Sequence, residues 1–391
     1  MAIEELYIDG TPCGLGTHMP IPRDVAVLGS MEVAEEFVDE LRRRFLVATY
    51  FIASTRTSTI PGISIAGASP EATLYTPALD VEYLVHGKPI SMNVIPVTPD
   101  GIPTPALLTR VALELLDVPT IIADAGSFLD PRVPHIDLPS RRVGGRIDVE
   151  DALPMDVARN LFEEAKLLGK MLGNERTAFV VGESMPGGTT TAMTIMEALG
   201  FKAVGRVSSA DPNNPHELKK QVFSKAVQRS GLGIPVDDPF LAVAKFGDPL
   251  HVSIAGFVAG LLERGSIAML AGGTQMCSVL AILRKLGIEL RKRVAIGTTR
   301  WIIEDRSSDI VGLVKDIAPE VPILATKLSF ENAPYQGLRA YERGYVKEGV
   351  GAGGTLVALS IYRGTELGYV LRKIFEEYER LLSLGVVEER G

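Results

Sequence analysis

Six short, mainly apolar runs constrain this chain most: residues 45–53, 120–123, 178–181, 266–271, 294–296 and 321–325. A strand with one wet face alternates apolar and polar residues. A continuous apolar run belongs to a strand covered on both faces, as in a parallel sheet packed between helices. Between these runs, residues 31–44, 104–116, 154–172, 189–199, 215–229, 249–263 and 275–286 place apolar side chains at helical spacing. Strand alternating with helix predicts an α/β fold: a doubly wound, mostly parallel sheet with helices on both faces. With 391 residues, 46% of them apolar, the chain can fill one such core. Residues 31–354 are expected to form the α/β domain. Residues 1–30 and 355–391 are expected to add a small, largely helical domain that includes an amphipathic helix over 366–384.

Charge and composition exclude several function classes. A net charge of −8 repels a nucleic-acid backbone unless basic residues are concentrated in one place. The densest basic runs, Arg42-Arg43-Arg44 and Arg291-Lys292-Arg293, are short and flank apolar segments, as solvated helix ends do. Two distant cysteines, Cys13 and Cys277, form neither a disulfide framework nor a metal knuckle and fit a reducing compartment. None of the five histidines (His18, His86, His135, His216, His251) pairs with another at the i, i+4 spacing of a helical zinc site, so no metal is expected. The N-terminal segment, with its acids and prolines, does not read as a signal peptide. Residues 266–283 are long enough to span a bilayer, but Gly272-Gly273-Thr274-Gln275 interrupts them, giving strand, turn and buried helix. These features predict a cytoplasmic protein without membrane or nucleic-acid partners.

In an open α/β sheet, ligands bind outside the carboxyl ends of the strands, and three glycine-rich loops fall there. The first, Gly182-Glu183-Ser184-Met185-Pro186-Gly187-Gly188-Thr189-Thr190, follows an apolar run and opens a helix. Such a loop either cradles an anion with backbone N–H groups or simply turns the chain. It is spaced nearly like an ATP-binding loop, but Gly188 stands where the lysine belongs. A carboxylate at Glu183 favours a functional role. The second loop, Gly272-Gly273-Thr274, offers a phosphate or ribose contact or close helix–strand packing. The third, Lys347-Glu348-Gly349-Val350-Gly351-Ala352-Gly353-Gly354, contains a formal GxGxxG. A charged segment precedes it, and too little chain follows for a dinucleotide-binding βαβ unit. Asp124-Ala125-Gly126 after a strand and Lys219 on a helix are weaker candidates.

At these loops the sequence resembles the nicotinate-nucleotide–dimethylbenzimidazole phosphoribosyltransferases. Their motif Gly-Glu-Met-Gly-Ile-Gly-Asn-Thr-Thr is similar to Gly182 through Thr190, and their C-terminal Gly-Glu-Gly-x-Gly-Ala is similar to Lys347 through Ala352. Looser matches fall at Asp124 and Gly126, at Lys219, and at Ser329-Phe330-Glu331. The first loop departs from the motif at Met185-Pro186-Gly187-Gly188, where a proline removes one N–H donor. The resemblance implies transfer of ribose 5-phosphate from nicotinate mononucleotide to an aromatic base, dimethylbenzimidazole-like, in cobamide lower-ligand synthesis. It implies Glu348 as general base and Glu183 as a second catalytic carboxylate. Asp124, Gly126, Gly182, Gly187, Gly188, Thr189, Thr190, Lys219, Gly272, Gly273, Thr274, Ser329, Glu331, Gly349 and Gly351 would hold the substrates. No cofactor or metal is implied, and a homodimer is. The same residues also suit another acceptor, adenine or a phenol, or a nucleotide-binding regulator without catalysis.

Overall fold

The computed structural model describes residues 20–388; Cys13 and His18 lie outside them. Eight strands form one sheet: β1 (Val25–Leu28), β2 (Phe45–Ala53), β3 (Thr120–Gly126), β4 (Ile136–Asp137), β5 (Thr177–Ser184), β6 (Ile267–Ala271), β7 (Val294–Thr299) and β8 (Ile323–Thr326). Their order is β1-β8-β7-β6-β5-β2-β3-β4. Every neighbouring pair is parallel except the edge pair β1–β8. From β2 the chain winds outward through β3 and β4, then returns to β5 on the other side of β2 and continues to β8. The winding direction therefore reverses between β2 and β5. A reversal splays the two connections apart and leaves a crevice at the carboxyl ends of these strands.

Helices cover both faces because β2, β5, β6 and β7 are apolar on both. One core contains Phe162, Ile195, Phe257 and Leu280; the other contains Phe37, Val81, Leu107 and Leu356. The strands extend further than their apolar runs. β5 continues through Gly182, Glu183 and Ser184, which pair with Tyr50, Phe51 and Ile52 of β2. Backbone pairing with a long neighbour holds these polar residues in the sheet, so Gly182 and Glu183 belong to a strand and not to a loop.

The chain ends differ in part from the expected small domain. β1 joins the sheet, and helix Ala352–Arg363 lies across β7 and β8 and against helix Ala106–Leu116. The boundary expected after residue 354 cuts that helix, because its first turn consists of small residues that carry no apolar signal. Only helix Leu367–Glu388 packs outside the layer, against Ala106–Leu116. Among the described residues no helix is long and apolar enough to cross a membrane.

Candidate active site

A cleft with a cavity volume of about 140 Å³ opens above the carboxyl ends of β5 and β6, beside the reversal point. Its walls bring together Glu183, Gly187, Gly188 and Thr189 from the first glycine loop and Lys347, Glu348 and Gly349 from the third. Ile63, Ala66, Pro105, Met185, Ile302 and Val350 supply apolar surface suited to a flat ring, and Ser208 and Ser209 also line the cleft. Lys347 contributes the only lysine or arginine side chain in the wall among the described residues.

Glu348 sits at the start of helix Ala352–Arg363. Its carboxylate accepts from the Gly353 amide at 3.1 Å, so the helix N-terminus steadies it. Enclosure by protein pushes its pKa up to about 8; the Gly353, Gly349 and Thr299 amides oppose the rise, and the Glu183 charge adds to it. One face stays open to the cleft. The segment is clamped by Thr299 Oγ1 to the Lys347 carbonyl at 2.6 Å and by Thr109 Oγ1 to the Val350 carbonyl at 2.8 Å. Val346 (φ 46°) and Val350 (φ 51°) flank it in the left-handed region, which a β-branched residue adopts only under strain. Strain of this kind is retained where the surroundings impose it, commonly at functional sites. Lys347 is held by Asp305 at 3.2 Å, which also accepts from Ser208 Oγ at 2.8 Å.

Glu183 reaches the cleft from the end of β5. Its Oε1 accepts from Gln275 Nε2 at 2.8 Å, and its buried Oε2 has no partner. Burial raises its pKa, with His251 and Gln275 opposing. Behind it, fully buried His251 meets Asp248 Oδ2 through Nδ1 at 2.6 Å. A third carboxylate, Asp80, accepts from Ser184 Oγ at 2.7 Å and Thr104 Oγ1 at 3.0 Å; burial pushes its pKa up to about 6. Three acids with raised proton affinity therefore line one half-apolar cleft, a signature of proton-transfer sites.

No family model matches the chain. It is 50% identical to the UPF0284 protein of Aeropyrum pernix over 358 residues, covering 92% of this chain and 98% of that protein. The chain belongs to the UPF0284 family. UPF0284 proteins of Pyrobaculum calidifontis and Sulfurisphaera tokodaii are 48% and 44% identical, covering 84% and 85% of this chain and 94% and 92% of their own. Among solved structures, the nicotinate-nucleotide–dimethylbenzimidazole phosphoribosyltransferase of Thermus thermophilus matches with a TM-score of 0.58 and 16% identity, over 88% of both chains. A structure of CobT from the same organism also matches with a TM-score of 0.58 and 16% identity, over 88% of this chain and 89% of that one. This UPF0284 chain thus has the fold of the phosphoribosyltransferase that its two glutamate motifs resemble.

Other residues expected at the site stand elsewhere. Gly182 and Gly351 face each other: a Cβ on Gly182 would lie 2.6 Å from the Tyr50 ring and 3.1 Å from Gly351 Cα. They bring a helix start close to the sheet and do not contact the cleft. Gly272 and Gly273 leave room for the Gln275 side chain, which does reach the cleft, while Thr274 Oγ1 accepts from the Ser208 amide at 2.8 Å. Lys219 is buried behind the same segment, donating to the Ser208 carbonyl at 2.6 Å and to Asn214 Oδ1 at 3.0 Å. Burial lowers its pKa to about 7, aided by Lys347 and opposed by Asp305. Thr190 is buried and does not line the cleft. Asp124 accepts from the Gly126 and Ser127 amides at 2.7 Å and pairs with Arg141, ending β3 as a turn cap. Asp124, His135 and Asp137 form a carboxylate–imidazole cluster, but the Arg141 guanidinium bonds both aspartates, at 2.7 and 3.0 Å, and already neutralises them. Ser329 donates to Glu342 at 3.1 Å, and exposed Glu331 lies with it outside the cleft wall.

The sequence reading missed Asp80, Gln275, Lys347 and the Asp248–His251 pair. For the pair a signal existed: Asp-Pro-x-His, with aspartate at a helix N-cap and histidine three residues on, places both side chains on one helix end. Asp80 sits on helix Thr76–His86, which has no glycine loop to mark it.

Proposed function

We propose that this chain is a cytoplasmic phosphoribosyltransferase that moves ribose 5-phosphate from nicotinate mononucleotide to a ring nitrogen of an aromatic base and releases nicotinate, a step of cobamide lower-ligand synthesis. The observation that carries the reading is Glu348: a carboxylate of raised proton affinity, fixed on a helix N-terminus and facing Glu183 in a cleft with apolar walls. The incoming nitrogen loses a proton as it bonds to the anomeric carbon. Glu348 accepts that proton, a contribution of about 10²–10⁴-fold for a placed base. Lys347 and the first turn of helix Gly188–Ala198 hold the phosphate. Glu183 stands near the sugar as it becomes cation-like. The aliphatic walls hold the two flat rings in line, and such positioning supplies a large share of the rate. The working unit is a homodimer, checked by light scattering.

The test is incubation with nicotinate mononucleotide and a panel of bases including dimethylbenzimidazole, adenine and phenols, with nicotinate release followed by chromatography. Base-dependent release that falls at least about a hundredfold in Glu348→Gln is expected, and the active panel member names the acceptor. Saturable nucleotide binding without release from any base overturns catalysis in favour of a binding protein.

A further inference from the structure

An acid–imidazole pair lies under the first turn of helix Gly188–Ala198, and the transfer chemistry above makes no use of it. Asp248 caps helix Pro249–Glu263 by accepting from the His251 amide at 2.8 Å, while its second oxygen engages His251 Nδ1 at 2.6 Å. Both side chains have no exposure to solvent. The contact fixes the ring: Nδ1 carries a proton and donates it to the carboxylate. On the far side, His251 Nε2 and Glu183 Oε2 are both buried, both without a partner, and within electrostatic reach of one another. A neutral lone pair and a carboxylate oxygen left unpaired in the interior are both unfavourable. A proton on Nε2 makes the imidazole a cation whose charge acts on the Glu183 carboxylate.

We propose that His251 is a positioning residue: a buried imidazolium held between Asp248 and Glu183 that keeps Glu183 ionised in the cleft wall. The proton count is the same as for neutral imidazole beside protonated Glu183; only the location of one proton differs. The hydrogen bonds select the charge-separated form. Asp248 accepts from the His251 amide, and Glu183 accepts from Gln275, both of which favour carboxylates. Burial acts against the imidazolium, and Asp248 with Glu183 outweighs it, so the histidine's proton affinity is raised. The charged groups facing Glu183 are His251 and Asp248 from below and Asp80 from helix Thr76–His86. Glu348 feels Glu183 from across the cleft. Resting on the transferase reading, the consequence is a division of labour: ionised Glu183 steadies the cation-like sugar and raises the proton affinity of Glu348.

The test is ¹⁵N-histidine NMR of the full chain, with the His251 signals identified by their loss in His251→Gln. Both ring nitrogens of His251 are expected to be protonated at pH 7. Glu183→Gln and Asp248→Asn are each expected to move its titration down by at least about one pH unit. Glu183→Gln retains the Asp248–His251 contact, so it remains informative if His251→Gln does not fold. An unprotonated ring nitrogen at pH 7, or a titration that Glu183→Gln leaves unmoved, overturns the proposal. These signals do not depend on turnover, so they decide the matter even if no base yields nicotinate. Where turnover is seen, His251→Gln is expected to shift the acid limb of the pH–rate profile downward, because Glu183 then becomes neutral and ceases to raise Glu348. A uniform fall in rate with an unshifted limb reduces His251 to a packing role.

Discussion

Glu348 and Glu183 show how neighbouring carboxylates acquire different duties from their surroundings. Glu348 faces the cleft with amide donors on one side, and its pKa is pushed up to about 8 by burial. Glu183 has a glutamine on one oxygen and a buried imidazole near the other. A base must be deprotonated to act, so nicotinate release is expected to rise with pH and level off above about 8. Glu348→Gln should lose that limb along with most of the rate; an unchanged limb in the variant would assign it to another group. Both glutamates were legible in the sequence because each stands next to glycines, Glu183 after an apolar run and Glu348 ahead of one. Asp80 was not, and neither was the placement of His251 beside the site, because each depends on a contact made far away in the chain. Asp80, for example, is fixed by Ser184, 104 positions away.

At the level of elements, the glycines of the third loop serve packing more than ligand binding. Gly354 lies against Ala271 of β6, and a Cβ there would overlap the Ala271 side chain and come within 2.6 Å of its Cα. Helix Ala352–Arg363 sits close to the sheet for this reason, and its depth sets where the Gly353 amide meets Glu348. Gly354→Ala is expected to cost about 1–3 kcal/mol, the usual penalty for overpacking, and to reduce nicotinate release by moving the helix start. Gly368→Ala, on the outer helix with nothing within 4 Å of its Cβ, should leave stability equal or raise it by up to about 1 kcal/mol. Urea midpoints of the two variants check the contrast; equal midpoints would remove the packing account. The strands were readable because residues buried on both faces leave no alternation, and β2 matches its apolar run from end to end. β1 and β4 were not, being edge strands of four and two residues whose pairing depends on distant partners. The reversal between β2 and β5, which places the cleft, was equally invisible, since periodicity identifies strands and says nothing of their order.

For the molecule as a whole, a cleft built from buried acids makes global stability depend on pH in a direction that can be worked out. Glu348 ionises near 4.5 in an unfolded chain and at about 8 in the folded one. Between these values the folded state holds a proton that the unfolded state has lost, so the Glu348 contribution to stability declines as pH rises through this window and is constant on either side. Lys219 acts in the opposite sense over a different range. Its folded pKa of about 7 lies below its ordinary 10.5, so in that interval the unfolded state binds the extra proton and stability rises with pH. The two effects overlap between about 7 and 8, and the raw pH profile of the wild-type protein would blur them. Subtraction separates them: Glu348→Gln cannot ionise, while Lys219 is common to both proteins. The unfolding free energy of Glu348→Gln minus that of wild type is therefore expected to grow steadily from about pH 4.5 to pH 8 and then stay level. Denaturant titrations of both proteins at several pH values measure it. A difference that is flat across the window would mean that Glu348 is solvated as an ordinary carboxylate in the folded protein, and the case for it as a base of raised proton affinity would fall with it.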